Sequence, residues 1–298
     1  MTEFFHEALH VLLHSLEETV KLLPFLYLTY LLMEFLEHKS GDVTEGLLRR
    51  SGRIGPLLGG ALGIAPQCGF SAAASGLYAG RLITAGTLLA VFLSTSDEML
   101  PIMISGGVSI PFMLAVLGCK LVIAVAVGFA LDGVLRVLRR GREEAEPQIE
   151  DLCEREHCRC GDHFALSALN HTLRTSGVIL LISRVLNGLI VAVGEEALAG
   201  LVLNRPVLGN LLAALVGLIP NCASSVVLTN LYLSGVISLG SMMSGLLVNA
   251  GVGILVLLRN NRPLSDSVRL LLVLLAVGFL SGLLIDLTPV ASLIGGLR

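Results

Sequence analysis

Two neighbouring carboxylates inside an apolar stretch are the residues of this sequence with the clearest potential for chemistry. Asp97 and Glu98 follow the hydroxyl-bearing Ser94 and Ser96 in the run STSDE. Ionisable side chains at membrane depth are costly and by default mark an ion or proton pathway. Carboxylate, hydroxyl and backbone oxygens are the ligands that hard divalent cations prefer. The run therefore predicts a binding site for a divalent metal or for a proton.

A second set of candidate ligands stands beside two prolines. Gln67 and Cys68 follow one proline, and Asn221 and Cys222 follow the other. A proline break frees the carbonyls of the preceding turn, the amides offer further oxygens, and thiols are soft ligands. These four side chains would surround one substrate if the two breaks meet. The alternative for the thiols is close helix packing, which favours small residues in membranes.

The two proline segments belong to an internal duplication. Residues 66–87 read PQCGFSAAASGLYAGRLITAGT and residues 220–241 read PNCASSVVLTNLYLSGVISLGS. A weaker match joins LEETVK at 16–21 to LNHTLR at 169–174. Duplicated halves with matching Pro/Gly-interrupted segments are typical of transporters whose substrate site lies at the repeat interface. The identities are Pro66, Cys68, Ser71, Leu77, Tyr78, Ile83 and Gly86, which recur as Pro220, Cys222, Ser225, Leu231, Tyr232, Ile237 and Gly240.

The duplication is not symmetric in charge. Gly251 and Val252 stand where the first half has its two acids, and Asn249 stands in the place of a threonine. We therefore expect the first half to bind the cation or proton. A structural ion pair of the acids with Lys120 or Arg81 is the alternative interpretation.

Three accessory groups have chemical potential of their own. Glu34, near the end of the first apolar run, and His171, at the start of a later one, could be relays on the cytoplasmic side or merely polar residues at helix ends. A central segment is dense in thiols and imidazoles, without regular zinc-ribbon spacing. It is either a metal-capturing loop or a reduced linker. Its candidate ligands are Cys153, His157, Cys158, Cys160 and His163.

The composition requires a membrane environment for the elements that position these residues. Of 298 residues, 54% are hydrophobic and only 14% are charged, the sequence has no Trp, and the mean hydropathy is +0.83. A chain this apolar is predicted to be an all-α polytopic membrane protein in contact with lipid. No basic patch with interleaved aromatics indicates nucleic acid. Apolar runs occur at about 22–36, 55–80, 83–104, 111–138, 175–193, 207–233, 237–258 and 268–291.

Charge and periodicity divide the chain into three parts. Residues 1–138 form the first transmembrane repeat and open with an amphipathic interfacial helix at 1–21. Residues 139–167 form a cytoplasmic linker that contains the Cys/His cluster, and residues 168–298 form the second repeat. No cleavable signal peptide is predicted, because acidic residues precede the first apolar run.

Loop charges predict that the two repeats are inverted relative to each other. The basic loop at 49–53 should be cytoplasmic by the positive-inside rule, whereas its counterpart at 194–206 is mainly acidic. Both repeats should contain broken or re-entrant helices that meet at the membrane midplane. Two arrangements of the first repeat remain open: a hairpin at 56–80 followed by one broken spanning helix, or three short crossings.

The motifs PQCGFS, LYAGRLITAGTLLAVFLSTSDE and GLIPNCASSVVLTNLYLSG resemble the manganese transporter family, a group of ten-helix heavy-metal exporters distantly related to the arsenical permeases. The similarity extends over nearly the full length. It implies an inner-membrane exporter of Mn²⁺ or another heavy metal. The matching residues are Gln67, Cys68, Ser71, Ser94, Ser96, Asp97, Glu98, Asn221, Cys222 and Ser225.

The leading functional hypothesis is a secondary transporter of the inner plasma membrane that exports a divalent metal in exchange for protons, with Mn²⁺ as the favoured substrate. No nucleotide-binding motif or cofactor is indicated, and the protein is predicted not to be an enzyme. One alternative is an arsenite or organoarsenical permease that uses Cys68 and Cys222. A less favoured alternative is an intramembrane lipid-phosphate hydrolase. A homo-oligomer is compatible with the sequence.

Overall fold

The computed structural model describes residues 20, 23–24, 26–31, 54–65, 69–96, 98–138, 164–193 and 206–297. Every regular element in these ranges is a helix. Besides the short helical segment at 26–31, the described helices are α1 (Ile54–Gly63), α2 (Gly69–Ala79), α3 (Ala85–Ser94), α4 (Met99–Ser105), α5 (Ile110–Leu138), α6 (Phe164–Val193), α7 (Pro206–Gly217), α8 (Ala223–Leu233), α9 (Leu239–Val248), α10 (Gly253–Asn260), α11 (Leu264–Leu287) and α12 (Val290–Gly295).

Within the described ranges, four helical stretches are long and apolar enough to cross a membrane, which confirms the prediction of a helical protein of the membrane class. Two are the single helices α5 and α11, of 29 and 24 residues. The other two are interrupted: α3 and α4 together cover 21 residues, and α9 and α10 cover 22. The interruptions at 95–98 and 249–252 lie at equivalent positions of the duplication.

The duplication seen in the sequence recurs in the helix boundaries. α2, α3, α4 and α5 begin 154 residues before α8, α9, α10 and α11, respectively. One left-handed backbone position also recurs, because Arg81 has a φ of 61° and its equivalent Gly235 has a φ of 75°. Each half therefore builds the same succession of two short helices, one broken helix and one long helix.

The two short helices that precede each broken helix form a hairpin. A Cβ built on Gly59 would lie 3.0 Å from the carbonyl oxygen of Thr87, and one on Gly63 would lie 2.7 Å from that of Val91. α1 and α3 therefore run side by side in the same direction, so α2 must bring the chain back between them. An arm of 10 residues spans about 15 Å, half of a hydrocarbon core. Each of these short helices alone is therefore too short to cross the full core.

Each long helix is fixed to its broken neighbour by a carboxylate. Asp132 on α5 accepts hydrogen bonds from Thr84 Oγ1 (2.6 Å) and from the Gly86 amide (2.8 Å) at the start of α3. The equivalent Asp286 on α11 accepts from Ser238 Oγ (2.8 Å) and from the Gly240 amide (2.9 Å) at the start of α9. Carboxylates favour helix N-termini because free amides and the positive end of the helix dipole are there.

Helices of each half pack against helices of the other half. α2 packs extensively against α10, and α8 packs against α4. Tyr78 Oη on α2 donates to Asp266 Oδ2 at 2.7 Å. At the equivalent positions Tyr232 on α8 stacks on Phe112, with ring centroids 5.8 Å apart. The buried core therefore consists of layers to which both halves contribute, not of two separate cores.

Close approach of α5 to α3 depends on glycine. A Cβ on Gly128 would lie 2.7 Å from the carbonyl oxygen of Gly86 and 3.1 Å from Ala90 Cβ. Small residues at such interfaces let backbones approach closely, which is how membrane helices gain packing energy. Gly118 on the same helix is exposed, and a Cβ there would meet no atom within 4 Å.

We expect Gly128→Ala to lower the stability of the purified protein by about 1–3 kcal/mol, because the added methyl group must push α5 away from α3. Gly118→Ala is the matched control, and it should be neutral or stabilising by up to about 1 kcal/mol through helix propensity. Thermal unfolding in detergent measures both. Equal midpoints for the two variants would contradict the close approach.

Candidate functional site

The structure places about half of the predicted site residues. Ser94, Ser96 and Glu98 lie at the first helix break, and Asn249 lies at the second. Asn221, Cys222 and Ser225 lie at the start of α8, and Ser71 lies in α2. Predicted site residues outside the described residues are Glu34, Gln67, Cys68, Asp97, Cys153, His157, Cys158, Cys160 and His163, together with the side chain of His171.

The hydroxyl groups at the first break are buried and bonded to their own backbone. Ser94 Oγ donates to the carbonyls of Ala90 (2.8 Å) and Val91 (3.1 Å), and Ser96 Oγ donates to the Ser94 carbonyl (3.0 Å). A hydroxyl that donates in this way keeps its lone pairs for another donor or a cation. The serines can therefore contribute oxygen ligands without losing their bonds. Glu98 is partly exposed and immediately precedes α4.

A buried ammonium group binds the C-terminal ends of two interrupted helices. Lys120 on α5 is 0% exposed. Its Nζ donates to the carbonyl of Thr95, which caps the C-terminus of α3, and to the carbonyl of Leu246 in the last turn of α9 at 3.1 Å. The last carbonyls of a helix lack partners within the helix and carry the negative end of its dipole. The backbone at this point therefore favours a cation.

From the sequence, Lys120 is a candidate ion-pair partner for the acids, and its contact with the second half is not predicted. A signal was available in the duplication, because the residue equivalent to Lys120 is Leu274, which is also 0% exposed. The buried lysine is thus specific to the half that carries Asp97 and Glu98. The Lys120 ammonium binds the carbonyl of Thr95. Thr95 stands two positions before Asp97 in the sequence.

The amides of the second half hold local turns. Asn249 Oδ1 accepts from the Gly251 amide at 3.0 Å, and Gly251 has a left-handed φ of 53°. Asn221 Oδ1 accepts from the Ala223 amide at 3.0 Å, where α8 begins. Each amide oxygen therefore stabilises the irregular backbone and retains a second lone pair. Among the residues that the structure describes, no group of three His, Cys, Asp or Glu side chains is arranged to hold a metal.

The second break lies against the hairpin helix of the first half. Ser75 Oγ on α2 donates to the carbonyl of Gly253 at 2.7 Å, and a Cβ on Gly253 would lie 2.8 Å from Ser71 Cβ. Cys222 belongs to one buried cluster with Ala72 of α2 and with Val252 of the break. The structure thus brings together Ser71, the start of α8 and the second break.

Comparisons of the chain with protein-family models, with curated proteins and with solved structures found no match.

We expect Ser75→Ala to destabilise the protein by about 1 kcal/mol, because it removes the hydrogen bond between α2 and the carbonyl of Gly253. Its counterpart Thr229 donates to the Ser225 carbonyl one turn earlier in the same helix, at 2.7 Å. Thr229→Val is the control and should cost less, since that carbonyl is already part of a helix. Thermal unfolding in detergent compares them, and a larger loss for Thr229→Val would refute the role assigned to Ser75.

Proposed function

We propose that the protein is a multi-pass secondary transporter of the inner membrane that exports a divalent heavy metal, with Mn²⁺ as the favoured substrate and protons as the coupling ion. The observation that supports it best is the convergence of the C-terminal ends of α3 and α9 on a buried ammonium. Unwound backbone and half-helix C-termini are the elements with which broken-helix transporters hold cations.

The depth of this point supports a transport site. Lys120 is the eleventh residue of α5, so it lies about 15 Å along that helix from its first residue, near the middle of a core of about 30 Å. Irregular backbone at that depth is tolerated only in the protein interior or beside a polar cavity. The two breaks therefore belong to the interior of the bundle, where a substrate would cross.

Inverted repeats account for the arrangement of the halves. In antiparallel copies, α3 and α9 approach the midplane from opposite sides, and their C-terminal ends meet there. The opposite charge of the loops at 49–53 and 194–206 supports this orientation. The paired breaks, the paired hairpins and the exchange of α2 and α8 between halves are consistent with it. In this arrangement α1–α2 and α7–α8 are re-entrant hairpins.

The acids give the site its preference for divalent cations. In the sequence, Asp97 and Glu98 follow Thr95 and Ser96, shortly after the last residue of α3. With Lys120 present, one carboxylate has a counter-charge when no metal is bound. A bound divalent metal has two positive charges, and it then takes over from Lys120 as the counter-charge of the carboxylates. Gln67, Asn221 and the serine oxygens complete the shell with neutral ligands.

An arsenical permease is the second candidate, and the position of Cys222 favours it. This thiol is 1% exposed at the start of α8, beside the second break, where a soft ligand would meet the substrate. In that case the carboxylates handle protons. A lipid-phosphate hydrolase has less support, because Arg81 lies 3.6 Å from Asp266 and also donates to the carbonyl of Arg262, away from the break at 95–98.

We expect Asp97→Asn to reduce Mn²⁺ export at least about tenfold, because it removes a charged oxygen ligand from the site. The double change Cys68→Ser with Cys222→Ser is the matched control and should leave most of the export intact. Efflux of Mn²⁺ from loaded cells that produce each variant at equal levels measures the effect.

The same cells challenged with arsenite separate the two candidates. Protection against arsenite that depends on the two cysteines, together with unchanged cellular manganese, would overturn the metal-export proposal. Protection against manganese that is lost with Asp97 supports it.

A further inference from the structure

The Lys120 ammonium occupies a position that suits a free cation. Its Nζ is bound by the Thr95 carbonyl and by the Leu246 carbonyl, at the C-terminal ends of two different interrupted helices. Backbone carbonyls at helix ends bind small hard cations as well as ammonium groups, because both are attracted by the same oxygen dipoles. The side chain thus presents a cation at the end of a tether of four methylene groups.

The second half shows that the fold itself does not need a charge at this place. Leu274 is equivalent to Lys120, is equally buried, and belongs to an apolar cluster with Leu93, Leu247 and Val248. A buried charge in a membrane helix is costly, so its presence in one half alone calls for a specific reason. The two carbonyl groups that the ammonium binds provide one such reason.

We propose that Lys120 is a tethered cation that fills a carbonyl site for a small monovalent cation, and that the site accepts Na⁺ or NH₄⁺ when the ammonium is removed. The cation site itself does not depend on the proposed function; only its consequence for transport rests on that function. A cation that stays attached to the protein balances the charge of the binding site in each cycle. Transport by the natural sequence therefore proceeds without a co-transported Na⁺.

Replacement by methionine tests this proposal with little change of volume. The methionine side chain has the same chain length as lysine up to Cε, with sulfur in place of Cδ and no Nζ, so Lys120→Met leaves room for one small ion beside the two carbonyls. Leu274→Met is the matched control, since it places the same side chain at the equivalent buried position of the other half. Lys120→Gln is a second neutral variant, whose amide can still donate to one carbonyl.

The measurement is the thermal midpoint of the purified full-length protein in detergent, in NaCl, NH₄Cl or choline chloride at equal ionic strength. We expect the natural sequence and Leu274→Met to have the same midpoint in all three salts. Lys120→Met and Lys120→Gln should unfold earlier in choline and recover by at least about 4 °C in NaCl or NH₄Cl, with saturation as the ion concentration rises.

The proposal is overturned if the Lys120 variants show no difference between the three salts, or if Lys120→Met is as stable in choline as the natural sequence. It is also overturned if both Lys120 variants aggregate in every salt while Leu274→Met remains folded, because the freed site should then have been filled by Na⁺. This assay requires no transport. A salt response of the Lys120 variants therefore stands even if the natural protein exports no metal, and a failure here leaves the metal-export test unaffected.

Discussion

An interrupted helix in an apolar environment exposes carbonyl groups that need a partner, and the centre of this molecule is built around that requirement. α3 and α9 both end in mid-span, and the ammonium of Lys120 binds a carbonyl at each end. Asn249 closes the second break by binding the Gly251 amide, and the serines of the first break bind carbonyls of the preceding turn. The irregular backbone is thus held by side chains drawn from three helices.

Around this centre the two halves repeat the same construction. Asp132 and Asp286 cap equivalent helices with equivalent bonds, and Gly86 with Gly128 reappears as Gly240 with Gly282. The halves differ mainly in charge. The first half has Lys120, Asp97 and Glu98. The second half has leucine, glycine and valine at the equivalent positions. A shared scaffold with charge in one copy allows one site to be specialised while the packing of both copies is preserved.

The helices, the duplication and the polar break after Ser94 could be predicted from the sequence because each has a local signal, whereas the break at 249–252 is recognised only as the equivalent position in the structure. The run STSDE is polar in an apolar context, and the matching proline segments mark the duplication. The partner of each helix has no such signal. The composition of α2 shows that it is apolar but not that α10 covers it, and the bond of Lys120 to Leu246 joins residues 126 positions apart. Contacts of this kind follow from tertiary packing.

α2 and α8 each pack against a helix of the other half, and this packing determines which helices can move together as one rigid body. α2 belongs to the first half by sequence, yet Ser75 and Tyr78 tie it to Gly253 and Asp266 of the second. A cut through the chain between the halves would expose both faces of that contact, so neither half forms a complete folding unit. A rigid-body motion that preserves these bonds must therefore carry α2 together with α10, rather than with the helices that flank α2 in the chain.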